Sequence, residues 1–332
     1  MVDGALYRGC LGVAAVPGVG SPGLCCYPAA QSAVSGLPVS AARPVVLHQE
    51  LSVPLARYGR IGAGYPACAA DIRARQTLLR GDQVFKGQRI SVVIPCHNEE
   101  EGIKVVLSDM PALVDEVVVV DNNSTDRTAE VARSMGARVI KETRKGYGAA
   151  YKTGFNHASG DIIVAMDGDA TYPRSFIPVL LEIMDEEQWD FITCDRTGHR
   201  ERGAGTFLRI LGNSILNWSM FLLYFVHLRD SQSGMWVFRR HILPRFNITS
   251  DGMSFSEELK IEAFTKRDLR CTELPIYYRA RIGESKLNMW KDGFNNLLFM
   301  FKKRFGLAGS ASVRPFAALA QDPSLSAADD PK

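Results

Sequence analysis

The chain has 332 residues, 46% of them hydrophobic, and a formal charge of +3. That length can bury a large core, and so weak a basic balance argues against a nucleic-acid binder. The seven cysteines (Cys10, Cys25, Cys26, Cys68, Cys96, Cys194, Cys271) have no metal-ligand spacing, so neither a disulfide framework nor a zinc site is indicated, and a reducing compartment follows.

Composition breaks near residue 86. Residues 1–85 contain no lysine, few acids and four of the seven cysteines, and they show no sustained period of 2 or 3.6. They read as a disordered, dispensable extension. The apolar stretch from Leu11 to Val19 is broken by Pro17 and lacks a basic flank, so it does not read as a signal peptide. Residues 308–332 repeat the Ala, Ser and Pro bias and read as a disordered tail. Residues 86–307 remain as one folded domain.

Within that domain strands and helices alternate. Ile90 to Pro95 reads as a buried strand, Glu100 to Met110 as a helix stopped by Pro111, and Glu116 to Asp121 as a second strand ending in an acid. Ser124 or Thr125 can cap a helix from Asp126 to Met135, which Gly136 ends, and Arg138 to Lys141 is a third strand. Tyr147 to His157 is helical, Asp161 to Asp167 is the fourth strand, and Ser175 to Glu186 is a helix announced by Pro173. This order predicts an α/β fold with a mostly parallel sheet covered on both faces.

Ligands of such sheets bind beyond the carboxyl ends of the strands. Three strands end there in polar clusters: Pro95-Cys96-His97-Asn98-Glu99, Asp121-Asn122-Asn123 and Asp167-Gly168-Asp169. Two carboxylates one residue apart lie on one side of an extended chain, where they can hold a divalent cation and its diphosphate. A single acid after a strand is as often an N-cap or a turn former, so the weight rests on convergence. Asp126 belongs to the first turn of its helix and carries no chemistry on this reading. The Lys145-Gly146-Tyr147-Gly148 turn reads as a cationic, backbone-exposing turn near a diphosphate, and it lacks the full dinucleotide fingerprint.

These residues resemble a known family. Val92-Val93-Ile94-Pro95 with Asn98-Glu99, Val120 to Thr128, Lys145 to Ala150 and Met166 to Asp169 are similar to the serial signatures of family 2 glycosyltransferases. Asp230-Ser231-Gln232-Ser233-Gly234-Met235, Phe238-Arg239-Arg240, Phe255-Ser256-Glu257-Glu258 and Arg281 to Leu287 fit the dolichyl-phosphate mannosyltransferase, or polyprenyl-phosphate glycosyltransferase, branch. The likeness runs from Arg89 to Phe305.

The resemblance implies a GT-A fold and transfer of one sugar from a nucleotide diphosphate (GDP-mannose or a UDP-hexose) to a polyprenyl phosphate, with inversion. It places Pro95, His97, Glu99, Asp121, Asn122, Lys145, Asp167 and Arg281 around the donor, Asp167 and Asp169 on Mg2+ or Mn2+, and Arg196, Arg209 and Asn213 at the acceptor phosphate. Asp169, Arg209 and Lys286 are the implied catalytic residues. His97 stands where the family has an aromatic residue and Asn122 where it has a second aspartate, so His97 is expected to stack or hydrogen-bond rather than bind metal. An ionised phosphate monoester attacks without a strong general base, so no triad is required.

A polyprenyl acceptor requires a membrane face. Ile210 to Leu228 carries no formal charge over 19 residues but is interrupted by Asn213, Ser214, Asn217, Ser219 and His227, and reads as an interfacial helix. Trp290, Phe294, Leu297, Leu298, Phe301 and Phe305 recur at helical spacing beside Lys302, Lys303 and Arg304, as in a helix at the headgroup boundary. The expectation is a peripheral enzyme on the cytoplasmic face of a membrane. The competing readings are a family 2 enzyme with a soluble acceptor, a sugar-nucleotide-binding protein without turnover and, more distantly, a dinucleotide oxidoreductase.

Overall fold

The computed structural model describes residues 85–200, 207–283 and 289–307; of residues 199–200, 207–210 and 289–290 it describes the backbone only. The expected extension up to residue 84, the tail from residue 308 and Lys286 lie outside the described residues.

Strands β1 (Ile90–Cys96), β2 (Glu116–Asp121), β3 (Arg138–Lys141) and β4 (Ile162–Ala165) alternate with helices α1 (Glu100–Ser108), α2 (Thr128–Ser134) and α3 (Tyr147–His157), and α4 (Ile177–Glu186) follows. The chain continues through β5 (Phe191–Arg200), α5 (Phe207–Tyr224), β6 (Trp236–Arg239), α6 (Phe255–Phe264), β7 (Cys271–Tyr278) and α7 (Met289–Arg304). One seven-stranded sheet results, in the order β3-β2-β1-β4-β6-β5-β7. Strands β1 to β4 are mutually parallel, β6 runs antiparallel to β4 and β5, and β5 is parallel to β7.

The strands read as continuous apolar runs because both faces are covered. Along β1, Val92 and Ile94 enter one core with Ile103, Val106, Leu180 and Leu181, while Val93 enters the other with Tyr151, Phe155, Phe255 and Leu259. Each such fully buried side chain contributes about 1.5–3 kcal/mol, so period-2 alternation sorts residues between two equally apolar sides.

Strand order reverses at β1, which has β2 on one side and β4 on the other. A crevice opens at the carboxyl ends of strands at such a switch point. Two local expectations need correction. Neither Ser124 nor Thr125 caps α2: Ser124 Oγ accepts the Asn98 amide, the Thr125 amide donates to Asn98 Oδ1, and Asp126 Oδ1 instead accepts the Thr128 amide at 3.0 Å. Strand β4 stops at Ala165, paired with Trp236, so Asp167 and Asp169 lie in the turn beyond the strand rather than on alternate positions of it.

Among the described residues no helix is long and apolar enough to cross a membrane. Helices α5 and α7 pack together: Tyr224 donates its hydroxyl to the Met300 carbonyl at 2.8 Å, Arg304 Nε donates to the Leu223 carbonyl at 2.8 Å, and Leu216, Met220 and Met300 share a small core with Ile261 of α6.

Candidate active site

The Asp167-Gly168-Asp169 turn is held closely against β1 and α1. A Cβ on Gly102 of α1 would lie 2.5 Å from the Gly168 carbonyl, so only glycine lets the start of the helix reach the turn. Asp169 Oδ1 accepts the amide and hydroxyl of Thr171 at 3.1 and 2.6 Å, which fixes the carboxylate, and Ala170 turns the chain at φ +62°. A non-glycine residue in that left-handed region is uncommon, and such strain concentrates at functional sites.

Asp167 accepts the Tyr147 hydroxyl at 2.9 Å. Burial in the crevice, joined by the neighbouring Asp169 charge, pushes its carboxyl up to about 7, although Tyr147, Arg196 and Arg281 act in the opposite direction. At Asp167, burial and the adjacent Asp169 charge thus outweigh the protein's own cations. Arg281 spans the crevice mouth, with one guanidinium nitrogen 2.5 Å from Glu99 Oε1, another 3.1 Å from Asp169 Oδ2, and a buried Nε without a partner among the described residues.

The same observations test the fit of a divalent cation. No group of three or more His, Cys, Asp or Glu side chains among the described residues could hold one. Asp167 and Asp169 nevertheless provide the two hard oxygen donors with which a small divalent cation is commonly held, the remaining ligands coming from substrate phosphates and water. The residues fit a metal that arrives with a diphosphate.

Several residues that the resemblance placed around the nucleoside are held by partners the sequence did not show. Asp121, almost fully buried, accepts the Ser124 amide at 3.0 Å; Pro95 pairs with the neighbouring Val120, and Glu99 meets Arg281. His97 Nδ1 lies 2.8 Å from the Asn122 carbonyl; a carbonyl only accepts, so Nδ1 carries the proton in this contact. Asn122 donates to the carbonyls of Glu142 and Arg144 at 3.0 and 2.7 Å and accepts the Gly146 amide at 2.9 Å. A carboxylate cannot make the two donations, which explains asparagine at this position.

That loop corrects the expectation that the Lys145 to Gly148 turn exposes its backbone donors. The Gly146 amide is taken by Asn122, and those of Gly148 and Ala149 by the carbonyls of Gly252 and Asp251 at 3.2 and 3.1 Å. Three backbone donors are thus spent inside the protein. Lys145 itself is exposed.

Two of the candidates implied for the acceptor phosphate, Arg196 and Asn213, converge on Asp230, to which the sequence assigned no role. Arg196 grips Asp230 through Nε at 2.6 Å and a terminal nitrogen at 2.8 Å, lies over the Tyr278 ring at 5.3 Å, and is joined at Asp230 by Asn213 at 3.2 Å. Burial alone would raise the Asp230 carboxyl, but the Arg196 charge and hydrogen bonds outweigh it and hold the group at about 2. Arg209 lies in α5, with only its backbone described. The Asp230 loop closes on the Asp167 turn: Gly234 accepts no side chain, since a Cβ there would lie 2.6 Å from the Tyr147 hydroxyl and 2.9 Å from Asp167 Oδ2. Tyr172 accepts the Gly234 amide at 2.6 Å. The quoted segment Asp230 to Met235 held the signal, but nothing local assigns its partners.

The helix pair exposes apolar side chains: Trp218, Leu222 and Phe225 on α5 and just beyond it, and Phe294, Phe305 and Leu307 on α7 and just beyond it, are 64–76% exposed. Phe225 ends α5 at φ +57°, a costly conformation for an aromatic residue. Two expectations about α7 change. Leu297 turns inward to the small core, and Lys303 is committed to Glu258 at 2.9 Å, Glu262 at 2.8 Å and the Asn247 carbonyl at 2.8 Å, because these buried groups need a cation. Phe294, Leu298, Phe301, Lys302, Arg304 and Phe305 remain outward; the Trp290 side chain lies outside the described residues.

Comparison with known proteins accords with this geometry. The glycosyl transferase family 2 model matches residues 91–246. The low-salt glycan biosynthesis hexosyltransferase Agl6 of Haloferax volcanii is 38% identical over 67% of this chain, and the match spans only 55% of that relative's length. The dolichyl-phosphate hexose transferase of the same organism is 35% identical over 61% of this chain and 89% of its own length. Glucosyl-3-phosphoglycerate synthase from Mycobacterium tuberculosis, solved with Mn2+, UDP-glucose and phosphoglyceric acid, shares the fold at 25% identity and a TM-score of 0.56, covering 68% of this chain and 82% of that one. The mostly parallel sheet, the paired aspartates at its switch point and these relatives together make the chain a member of the family 2 glycosyltransferases, with a GT-A fold.

Proposed function

We propose that this chain transfers a hexose from a nucleotide diphosphate sugar to a polyprenyl phosphate at a membrane surface, with inversion at the anomeric carbon. The observation that carries the reading is the pairing, in one domain, of the Asp167–Asp169 turn, where Tyr147 meets Asp167 and Arg281 meets Asp169, with an exposed apolar helix pair. The relative named as a dolichyl-phosphate hexose transferase supports the acceptor class, and the neighbour solved with Mn2+ and UDP-glucose supports the donor class and a divalent metal.

On this reading Glu99, His97 and Asp121 hold the nucleoside side of the donor, and Asp167 and Asp169 hold Mg2+ or Mn2+ together with the diphosphate. The metal supplies neutralisation of the leaving diphosphate. Arg281 moves from its ion pairs with Glu99 and Asp169 onto donor phosphate oxygens, for which a guanidinium is well shaped. Arg196, oriented by Asp230 and Asn213, faces the acceptor phosphate, whose ionised oxygen is the nucleophile. Arg209 and Lys286 extend the same cationic path. Catalysis is then positioning plus charge neutralisation, with no proton abstraction.

The side chains of α5 and α7 that face outward have the composition of a headgroup boundary, so the enzyme docks peripherally on the cytoplasmic face of a membrane. A second reading, transfer to a soluble acceptor, is favoured by the neighbour solved with phosphoglyceric acid. One assay separates them: labelled GDP-mannose, UDP-glucose and UDP-N-acetylhexosamine, each offered with polyprenyl phosphate in vesicles or with small soluble acceptors, with and without EDTA. Label in the lipid phase, lost with EDTA, is expected; label only in soluble product overturns the lipid acceptor.

A further inference from the structure

Three amide side chains within the apolar helices α5 and α7, Asn213, Asn217 and Asn296, turn toward one loop. On α5, Asn217 accepts the Ser231 amide at 2.9 Å and donates to the Arg229 carbonyl at 2.6 Å, and Asn213, one turn earlier, reaches Asp230. On α7, Asn296 is buried and donates to Glu257 Oε1 at 2.5 Å and to Gln232 Oε1 at 3.3 Å. Gln232 closes the triangle by donating to the same Glu257 oxygen at 2.6 Å. From α6, Lys260 donates to the carbonyls of Ser231 and Ser233 at 2.6 and 2.7 Å. The far end of this loop is Gly234, packed on Tyr147 and Asp167, and its near end is Asp230, which holds Arg196.

The helices that present apolar side chains outward therefore grip, with their inward amides, the loop that positions both phosphate-handling groups. A buried network of this kind is rigid only while every member is paired. Here Glu257 Oε2 and Asn213 Oδ1 are buried without a partner among the described residues, so the network holds unused acceptors that a small shift of either helix can engage.

We propose that Asn296 and Gln232 are positioning residues that couple the seating of α5 and α7 on a lipid surface to the placement of Arg196 and Gly234, so that lipid contact accelerates transfer. This inference rests on the membrane-surface reading above. Neither residue touches the reacting atoms; each acts through the Asp230–Gly234 loop.

The test uses the full chain, a short-chain, water-soluble polyprenyl phosphate and plain phospholipid vesicles free of acceptor. Vesicle flotation, nucleotide affinity and transfer are measured for the wild type, Asn296→Leu, Gln232→Ala, and the exchange Asn296→Asp with Glu257→Gln. The expected result is that all four proteins float and bind nucleotide alike, that vesicles raise the wild-type kcat about tenfold, and that both single variants lose this stimulation. The exchange restores it, because turning the Gln232 amide over lets it donate to the new carboxylate and accept from the new amide. Gln232 is partly exposed, so Gln232→Ala keeps the test valid should Asn296→Leu fail to fold. Variants that float and keep stimulation within about twofold of the wild type overturn the coupling alone. A wild type that does not float overturns the membrane reading and the coupling with it.

Discussion

The half of the domain from Ile90 to Asp169 and the half from Asp190 to Phe305 build their share of the site differently. In the first, functional groups sit on short loops directly after parallel strands, and each loop is fixed by neighbours in the same strand-helix array, as Asn122 fixes the Lys145 turn. In the second, one loop from Arg229 to Gly234 is held by side chains from α5, α6, α7 and β7, with Glu273 accepting the Arg229 and Asp230 amides at 2.7 and 3.0 Å. The contrast teaches that the proposed donor site follows from sheet topology, whereas the proposed acceptor side depends on packing among helices that also face outward.

The largest expected effect tests the first half. Asp169→Ala and Asp167→Asn should each lower transfer about 1,000-fold while far-ultraviolet circular dichroism stays native, since they remove carboxylates proposed to hold the cation that would neutralise the leaving diphosphate. Near-normal turnover in either would break the assignment of the metal site.

The second half is then probed by stability. Arg196→Ala strands the fully buried Asp230 carboxylate and should cost about 3–5 kcal/mol in urea unfolding, whereas Asn213→Ala, which removes one hydrogen bond, should cost about 1 kcal/mol. Equal costs would mean that Asp230 is not the hub of this region. Gly234→Ala brings a methyl against Tyr147 and Asp167 and should cost about 1–3 kcal/mol, with a loss of transfer beyond that explained by unfolding.

Acid titration sharpens the comparison further. Asp230 is held at about 2, below an unfolded value near 3.9, so its contribution of roughly 2 kcal/mol is full at neutral pH and is lost as pH falls from about 4 toward 2. Asp230→Asn should flatten the stability–pH slope in that window; an unchanged slope would show that the ion pair with Arg196 does not govern acid stability. The smallest effect concerns the outer surface. Trp218→Ser and Phe294→Ser should change stability by no more than about 0.5 kcal/mol while weakening flotation with vesicles, and unchanged flotation would remove these side chains from the docking face.

The legibility of the two halves differs for the same physical reason. Val92 to Ile94, Val118 to Val120 and Ile162 to Val164 announce themselves as buried strands because both faces of a parallel sheet demand apolar residues, and the acids after them mark the crevice. Strand β6 and helix α6 are harder to read, the latter because Glu257, Glu258 and Lys260 are buried in a helix whose pattern is polar. The Asn213–Asn217 spacing in an otherwise apolar segment was the available clue to an inward polar face, as was Ser256–Lys260. Lys303 shows the opposite failure: a cation in a basic run reads as solvated until Glu258 and Glu262 are found beneath it.

Sequence alone determined the alternating fold, the three strand-end clusters and the Asp167–Asp169 pair, because hydrophobic period and strand-end acids are properties of neighbours in the chain. Tertiary structure decided that Arg281 bridges Glu99 and Asp169, that Asp230 gathers Arg196 and Asn213, and that Asn296 reaches Glu257 and Gln232. Those pairings join residues tens to nearly two hundred positions apart, and only folding sets which buried charge or amide each of them meets.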